Sequence, residues 1–119
     1  MKYKRFGSSD ILVSAIGQGT MGIGGYFTKQ TDSDDDFINS LMIGIEYGLT
    51  FIDTAENYAE GHSEEIIGRA IKGCRDKVFV ATKVSPEHLS CNDVILSAEH
   101  SLKRLNTDYI DLYQIHWPN

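Results

Sequence analysis

A strand-like segment followed by a helix-like one recurs along this chain at roughly 30-residue spacing, and no other feature restricts its fold as much. That alternation predicts βαβ units around a parallel sheet. The parallel strands are expected at about Ala15 to Gly19, Leu49 to Asp53, Val78 to Lys83 and Tyr109 to Ile115. The first helix begins near Ser33 or Asp34, where Asp34, Asp35 and Asp36 complement the positive end of its dipole. It shows Phe37, Ile38, Leu41, Met42 and Ile45 on one face, and Gly48 closes it. The second starts at Ser63 as its cap, has Glu64 and Glu65 in its first turn, buries Ile66, Ile67, Ala70 and Ile71, and ends at Gly73. The third opens with Ser90-Cys91-Asn92-Asp93, in the form of a capping box, and carries Val94, Ile95, Ala98, Leu102 and Leu105 on one face. Ahead of these units, Lys2 to Phe6 and Ile11 to Val13 flank the turn residues Gly7-Ser8-Ser9-Asp10 and read as a β-hairpin.

Four parallel strands with three helices admit an open doubly wound sheet or a closed barrel. The glycines from Gly19 to Gly25 do not open directly into a helix. They begin a loop that runs from Thr20 to Ser33, unlike a dinucleotide-binding turn. The barrel is also favoured by where the polar residues fall. Asp53 ends the second parallel strand, Lys83 ends the third and His116 follows the fourth, at the strand ends where barrel enzymes build active sites. Alternation puts Lys83 on one face with Ala81 and Phe79, Asp53 with Phe51, and His116 with Gln114, Leu112 and Ile110. If those faces point inward, the three side chains converge, and Tyr58 lies near enough in the following loop to join them. The expected organisation is one α/β domain over residues 1–119, with a hairpin cap at 1–14 and strands one to four at 15–119.

Composition narrows the function classes. The net charge of −6 and the absence of a Lys/Arg cluster argue against nucleic acid as a partner. No apolar run approaches the roughly 20 residues of a membrane span. The opening Met1-Lys2-Tyr3-Lys4-Arg5 lacks the apolar stretch of a signal peptide, so the expected location is the cytoplasm. Cys74 and Cys91 fit free thiols there. His62, His88, His100 and His116 show no metal-ligand spacing, so no metal site is expected.

Three stretches go further. Phe51-Ile52-Asp53-Thr54-Ala55-Glu56-Asn57-Tyr58 through Ile71, Val80-Ala81-Thr82-Lys83 and Tyr109 through Trp117-Pro118 resemble the motifs of the aldo-keto reductase family, as does Gly17-Gln18-Gly19-Thr20-Met21-Gly22. The resemblance covers the whole chain and implies the first half of a (β/α)₈ TIM barrel. It implies hydride transfer from a nicotinamide, usually NADPH with NAD as the alternative, to the carbonyl carbon of an aldehyde or ketone. The family's tetrad falls on Asp53, Tyr58, Lys83 and His116. A carbonyl receiving hydride becomes an alkoxide and needs a proton and charge stabilisation. The resemblance makes Tyr58 the proton donor, Lys83 the cation favouring its phenolate, Asp53 the lysine's anchor and His116 the group that orients the carbonyl. It places Thr20 and Asp53 at the nicotinamide end of the cofactor and Met21 and Trp117 beside a small-molecule carbonyl substrate.

A complete barrel of this class takes roughly 250 residues. The expectation is therefore a truncated chain, inactive alone, that lacks the groups gripping the rest of the cofactor. Open sheet edges would invite self-association. Two other readings stand beside the reductase: a non-catalytic regulatory or binding protein on the same fold, and a lyase or isomerase using Lys83 as a Schiff-base amine.

Overall fold

The computed structural model describes residues 1–118. A hairpin of β1 (Tyr3–Arg5) and β2 (Leu12–Ser14) leads into β3 (Gly17–Gly19), α1 (Asp34–Glu46), β4 (Phe51–Asp53), α2 (His62–Ala70), β5 (Phe79–Val84), α3 (Cys91–Leu105) and β6 (Leu112–Ile115). β1 and β2 pair antiparallel, while β3-β4-β5-β6 form a parallel sheet in chain order. These are the expected hairpin and four parallel strands, trimmed at their starts. β6 begins only at Leu112 because a side chain occupies the ladder before it. The Asp111 carboxylate accepts the Val80 N–H at 2.8 Å and holds Arg75 at 2.7 Å.

Each face of the sheet has its own core, as period-two alternation requires. Toward the helices, Ile52 and Val80 pack with Leu41, Ile66, Ile67, Ala70, Ile71 and Leu105. On the other face Phe79 and Ala81 join Val13 of the hairpin, with Phe6, Phe51 and Leu112 packed around them. The Phe6 and Phe51 rings lie 5.0 and 5.4 Å from that of Phe79. Phe51 and Phe79 are register partners at the strand starts, so the hairpin covers the amino-terminal end of the sheet. Ser14 fastens it there, its Oγ accepting the Phe51 N–H at 3.0 Å.

Two glycines carry the local geometry. Gly48, at φ +86°, turns the chain out of α1 while Leu49 N–H reaches the Gly44 carbonyl and Gly48 N–H that of Ile45, a Schellman ending. Gly68 lets α2 touch the end of α3, since a Cβ there would stand 2.7 Å from the Leu105 carbonyl oxygen.

Several sequence expectations are corrected. Ile110 packs with the helix-side core, not with Leu112, because it precedes β6, where the Asp111 interactions break the alternation. Met42 is exposed; Leu41 is the fully buried anchor of α1. Ile95 is 58% exposed, and α3 instead turns Ser97, Ser101 and Leu105 inward. Small hydroxyl residues allow close helix packing that a hydrophobic count passes over. Ser63 is not a cap but lies inside α2, which His62 begins after the left-handed Gly61. Ser90 does cap α3, accepting the Asp93 N–H, while its hydroxyl donates to the Asp93 carboxylate. Among the described residues no helix is long and apolar enough to cross a membrane.

Candidate active site

The carboxyl ends of β4 and β5 bring a carboxylate and an ammonium together. Asp53 and Lys83 both follow from the aromatic pair Phe51 and Phe79 by steps of two, so they rise on the face above the hairpin core. Lys83 Nζ donates to Asp53 Oδ2 at 2.9 Å and to the Thr54 carbonyl at 2.7 Å. The lysine side chain is only 14% exposed, whereas Asp53 keeps 39%. A nearly buried ammonium needs this pairing, because desolvation without a partner costs several kcal/mol per ion.

Tyr58 reaches the same place from the loop after β4. Its N–H closes a tight turn on the Ala55 carbonyl, and its ring sits with Lys83 Nζ 5.2 Å from the centroid. Ala59 and Glu60, just beyond, hold left-handed backbone at φ 50° and 58°. For non-glycine residues that conformation costs roughly 1–2 kcal/mol each, and such strain gathers where a site demands a fixed geometry. His116 follows β6, its N–H donating to the Val84 carbonyl, and meets the Tyr58 ring edge-on at 5.6 Å. Burial first, and the Lys83 ammonium second, hold its imidazole below the ordinary value, so the ring is neutral at pH 7. His116 Nδ1 is buried with no partner among the described residues. A proton there would be a stranded donor, which places it on Nε2. The four residues singled out from the sequence are thus neighbours at one rim.

The more peripheral candidates divide. Thr20 is fully buried, and its N–H and hydroxyl both donate to the Asp53 carbonyl at 3.0 Å. It therefore ties the glycine loop to β4 directly behind the Asp53 carboxylate. Ser63 reinforces that tie by donating to the Thr20 and Ile23 carbonyls. Met21 projects into solvent, and Trp117 is half exposed with its ring 4.2 Å from that of His116.

Sequence reasoning missed three ionisable groups. Glu64, expected only as a first-turn residue of the second helix, is fully buried, accepting from Arg104 Nε at 2.7 Å and from the Thr82 hydroxyl at 2.6 Å. Its spacing from Ile67 and Ile71, on the buried face, was the available signal. His62 lies buried between Asp34 and Glu65, at 2.8 and 2.6 Å. Glu56 accepts the Ser85 N–H at 2.7 Å and His88 Nδ1 at 2.9 Å. Nothing local in the sequence marks it.

A family model described as the aldo/keto reductase family matches residues 15–119. The chain belongs to that family. The methylglyoxal reductase YeaE of Escherichia coli K12 is 44% identical over 110 residues, covering 92% of this chain and 37% of its own length. The aldo-keto reductase YhdN of Bacillus subtilis is 43% identical over 129 residues, covering 100% of this chain and 39% of its own. Among solved structures, the thermostable aldo-keto reductase Tm1743, complexed with the inhibitor epalrestat, superposes with a TM-score of 0.97 at 48% identity. It covers all of this chain, which spans 44% of it. An aldo/keto reductase from Klebsiella pneumoniae, crystallised with NADP and acetate, has a TM-score of 0.85 at 42% identity, over 91% of this chain and 37% of its own. These neighbours are TIM barrels, and the four-stranded sheet with its hairpin is part of that architecture. The chain spans about two fifths of the length of the relatives it matches.

Proposed function

We propose that this rim serves NADPH-dependent reduction of an aldehyde or ketone to an alcohol, with NADH as the alternative donor. The observation that carries the reading is the Lys83 ammonium, clamped by Asp53 at 2.9 Å and lying beside the Tyr58 ring. The rim also suits the nicotinamide end of a cofactor. Asp53 offers an exposed acceptor, and its register partner Gly19 borders open space, since an added Cβ would meet nothing within 4 Å. When bound, the nicotinamide supplies the hydride. Asp53 and the Thr20 loop would hold that end.

The chain's own residues do the rest. Tyr58 donates its phenolic proton to the carbonyl oxygen as negative charge develops there. Lys83, cationic and poorly solvated, favours the phenolate that remains. Asp53 and the Thr54 carbonyl keep Lys83 from turning to water. Neutral His116 presents Nε2–H to the same carbonyl oxygen and so sets its orientation. Met21 and Trp117 border the substrate. A Schiff-base role for Lys83 sits poorly with an ammonium held in two hydrogen bonds, and a purely regulatory role leaves the tetrad unemployed.

Among the described residues β3 and β6 are the edges of the sheet. We therefore assign activity to the closed barrel and expect little from the 119-residue chain alone, which works in the cytoplasm with its two cysteines as thiols. The test is NADPH consumption with small aldehydes, by the chain alone and by the chain joined to the remaining strands of the Bacillus subtilis relative. Turnover that needs the closed barrel and disappears in Tyr58→Phe supports the reading. A folded, closed barrel that consumes no NADPH, or does so equally well without the Tyr58 hydroxyl, overturns it.

A further inference from the structure

We infer that Glu56 is a positioning residue for Tyr58: its carboxylate replaces a backbone carbonyl in the β4–β5 ladder and locks the Tyr58 loop against the end of β5. The inference rests on the reductase reading above. Beyond Asp53 the chain leaves β4, but pairing with β5 continues. Thr54 N–H donates to the Ala81 carbonyl at 2.9 Å and Glu56 N–H to the Lys83 carbonyl at 3.2 Å. In a parallel ladder the next bond would run from Ser85 N–H to the Glu56 carbonyl. The backbone has already turned there, with Asn57 at φ −91°, ψ −2°, and Glu56 Oε1 receives that N–H instead, at 2.7 Å.

Glu56 therefore grips β5 on both sides of Val84, directly after Lys83, through the Lys83 carbonyl and the Ser85 N–H. Tyr58 is two residues further on, so the placement of its ring over Lys83 and against His116 is set by this clamp. His88 Nδ1 donates to the same oxygen at 2.9 Å from the turn after β5. The carboxylate is only 8% exposed. Burial opposes its charge, yet the Ser85 N–H and the His88 imidazole hold the carboxyl below the usual range. Beside it lies a polar cleft lined by Asn57, Ser97, His100 and Arg104, so removing the side chain admits water without collapsing an apolar core.

Two-dimensional NMR on the 119-residue chain tests this without turnover. In the wild type the Ser85 amide exchanges slowly with solvent, and cross-peaks join the Tyr58 and His116 rings. Glu56→Ala loses those cross-peaks, while Glu56→Gln, which keeps an acceptor oxygen, retains them. Ser85→Pro attacks the contact from the other side: Ser85 sits at φ −67°, ψ 150°, which proline adopts, so the backbone path is kept while the N–H and the Ser85 hydroxyl, the two groups that reach Glu56, are removed together. It too loses the ring contacts, and it decides the matter if Glu56→Ala fails to fold. An unprotected Ser85 amide in the wild type overturns the inference. So do ring cross-peaks undiminished in Glu56→Ala or Ser85→Pro, or lost in Glu56→Gln. In the closed barrel, Glu56→Ala is expected to lower kcat about 10- to 100-fold with KM for the aldehyde little changed. If the wild type reduces no carbonyl, the reductase reading fails, and the ring contacts still decide the role of Glu56.

Discussion

The two ends of the parallel strands are made of different material. At the amino end the rings of Phe6 of the hairpin and of Phe51 pack against that of Phe79, and Val13 joins the same apolar cluster. At the carboxyl end, on the same strands and the same face, stand Asp53 and Lys83, with Tyr58 and His116 closing over them. Two or four residues along a strand separate apolar packing from a poorly solvated ion pair. The difference teaches how one βα framework divides its work. The amino end supplies stability through buried area, and that stability lets the carboxyl end hold a buried ammonium and a strained loop that would otherwise relax.

The division can be broken from either end. Its largest expected effect is kinetic: Tyr58→Phe should reduce carbonyl turnover of the closed barrel by about 10²–10⁴-fold, the range for a missing general acid, and leave the melting temperature nearly unmoved. A matching loss of stability would show that the rim also carries the fold. Next comes Phe79→Ala at the floor. Emptying that aromatic cluster should cost about 3–5 kcal/mol in urea denaturation, enough to unfold a marginal domain. Gly68→Ala, where α2 meets the end of α3, adds a methyl against backbone oxygens and should cost about 1–3 kcal/mol on the same assay.

The smallest effect belongs to the rim and depends on pH. Glu56 favours the charged form of His88: its hydrogen bond, against the opposing effect of burial, raises the His88 imidazole above its ordinary 6.5, while, despite burial, the Glu56 carboxyl is held below its ordinary 4.5 by the Ser85 and His88 hydrogen bonds. The His88 contribution is fully present below its unfolded value and is lost as pH rises through the raised folded one. The Glu56 contribution is present above its unfolded value and is lost as pH falls through the lowered one. Stability from the pair is therefore greatest between the two and declines modestly above about pH 6.5, since His88 is half exposed. Replacing His88 by Gln should flatten the alkaline decline in a melting-temperature series. An unchanged slope would remove the pair from the account.

Much of the comparison was legible in the sequence, for physical reasons. Strand-end positions of Asp53 and Lys83 follow from period two alone, and the apolar stripe Ile66, Ile67, Ala70 and Ile71 is buried as its spacing demands. What stayed hidden depends on contacts between segments distant in the chain. Glu56 resembles any loop acidic residue until β5 supplies Ser85. Glu64 looks like a solvated dipole partner until Arg104, forty residues away, neutralises it. Hydrophobicity alone turns Ile95 and Met42 inward, but which side of a helix faces the sheet is decided by closeness of approach, and the serines of α3 win it.

The claim beneath all of this is that Lys83 and Tyr58 act as one unit at the rim. A double-mutant cycle on carbonyl turnover in the closed barrel, using Lys83→Met and Tyr58→Phe singly and together, tests it most directly. The account predicts strong non-additivity, with the lysine change costing little once the phenol is gone. Losses that simply multiply would mean the two side chains serve separate ends, and the shared rim would have no chemical meaning.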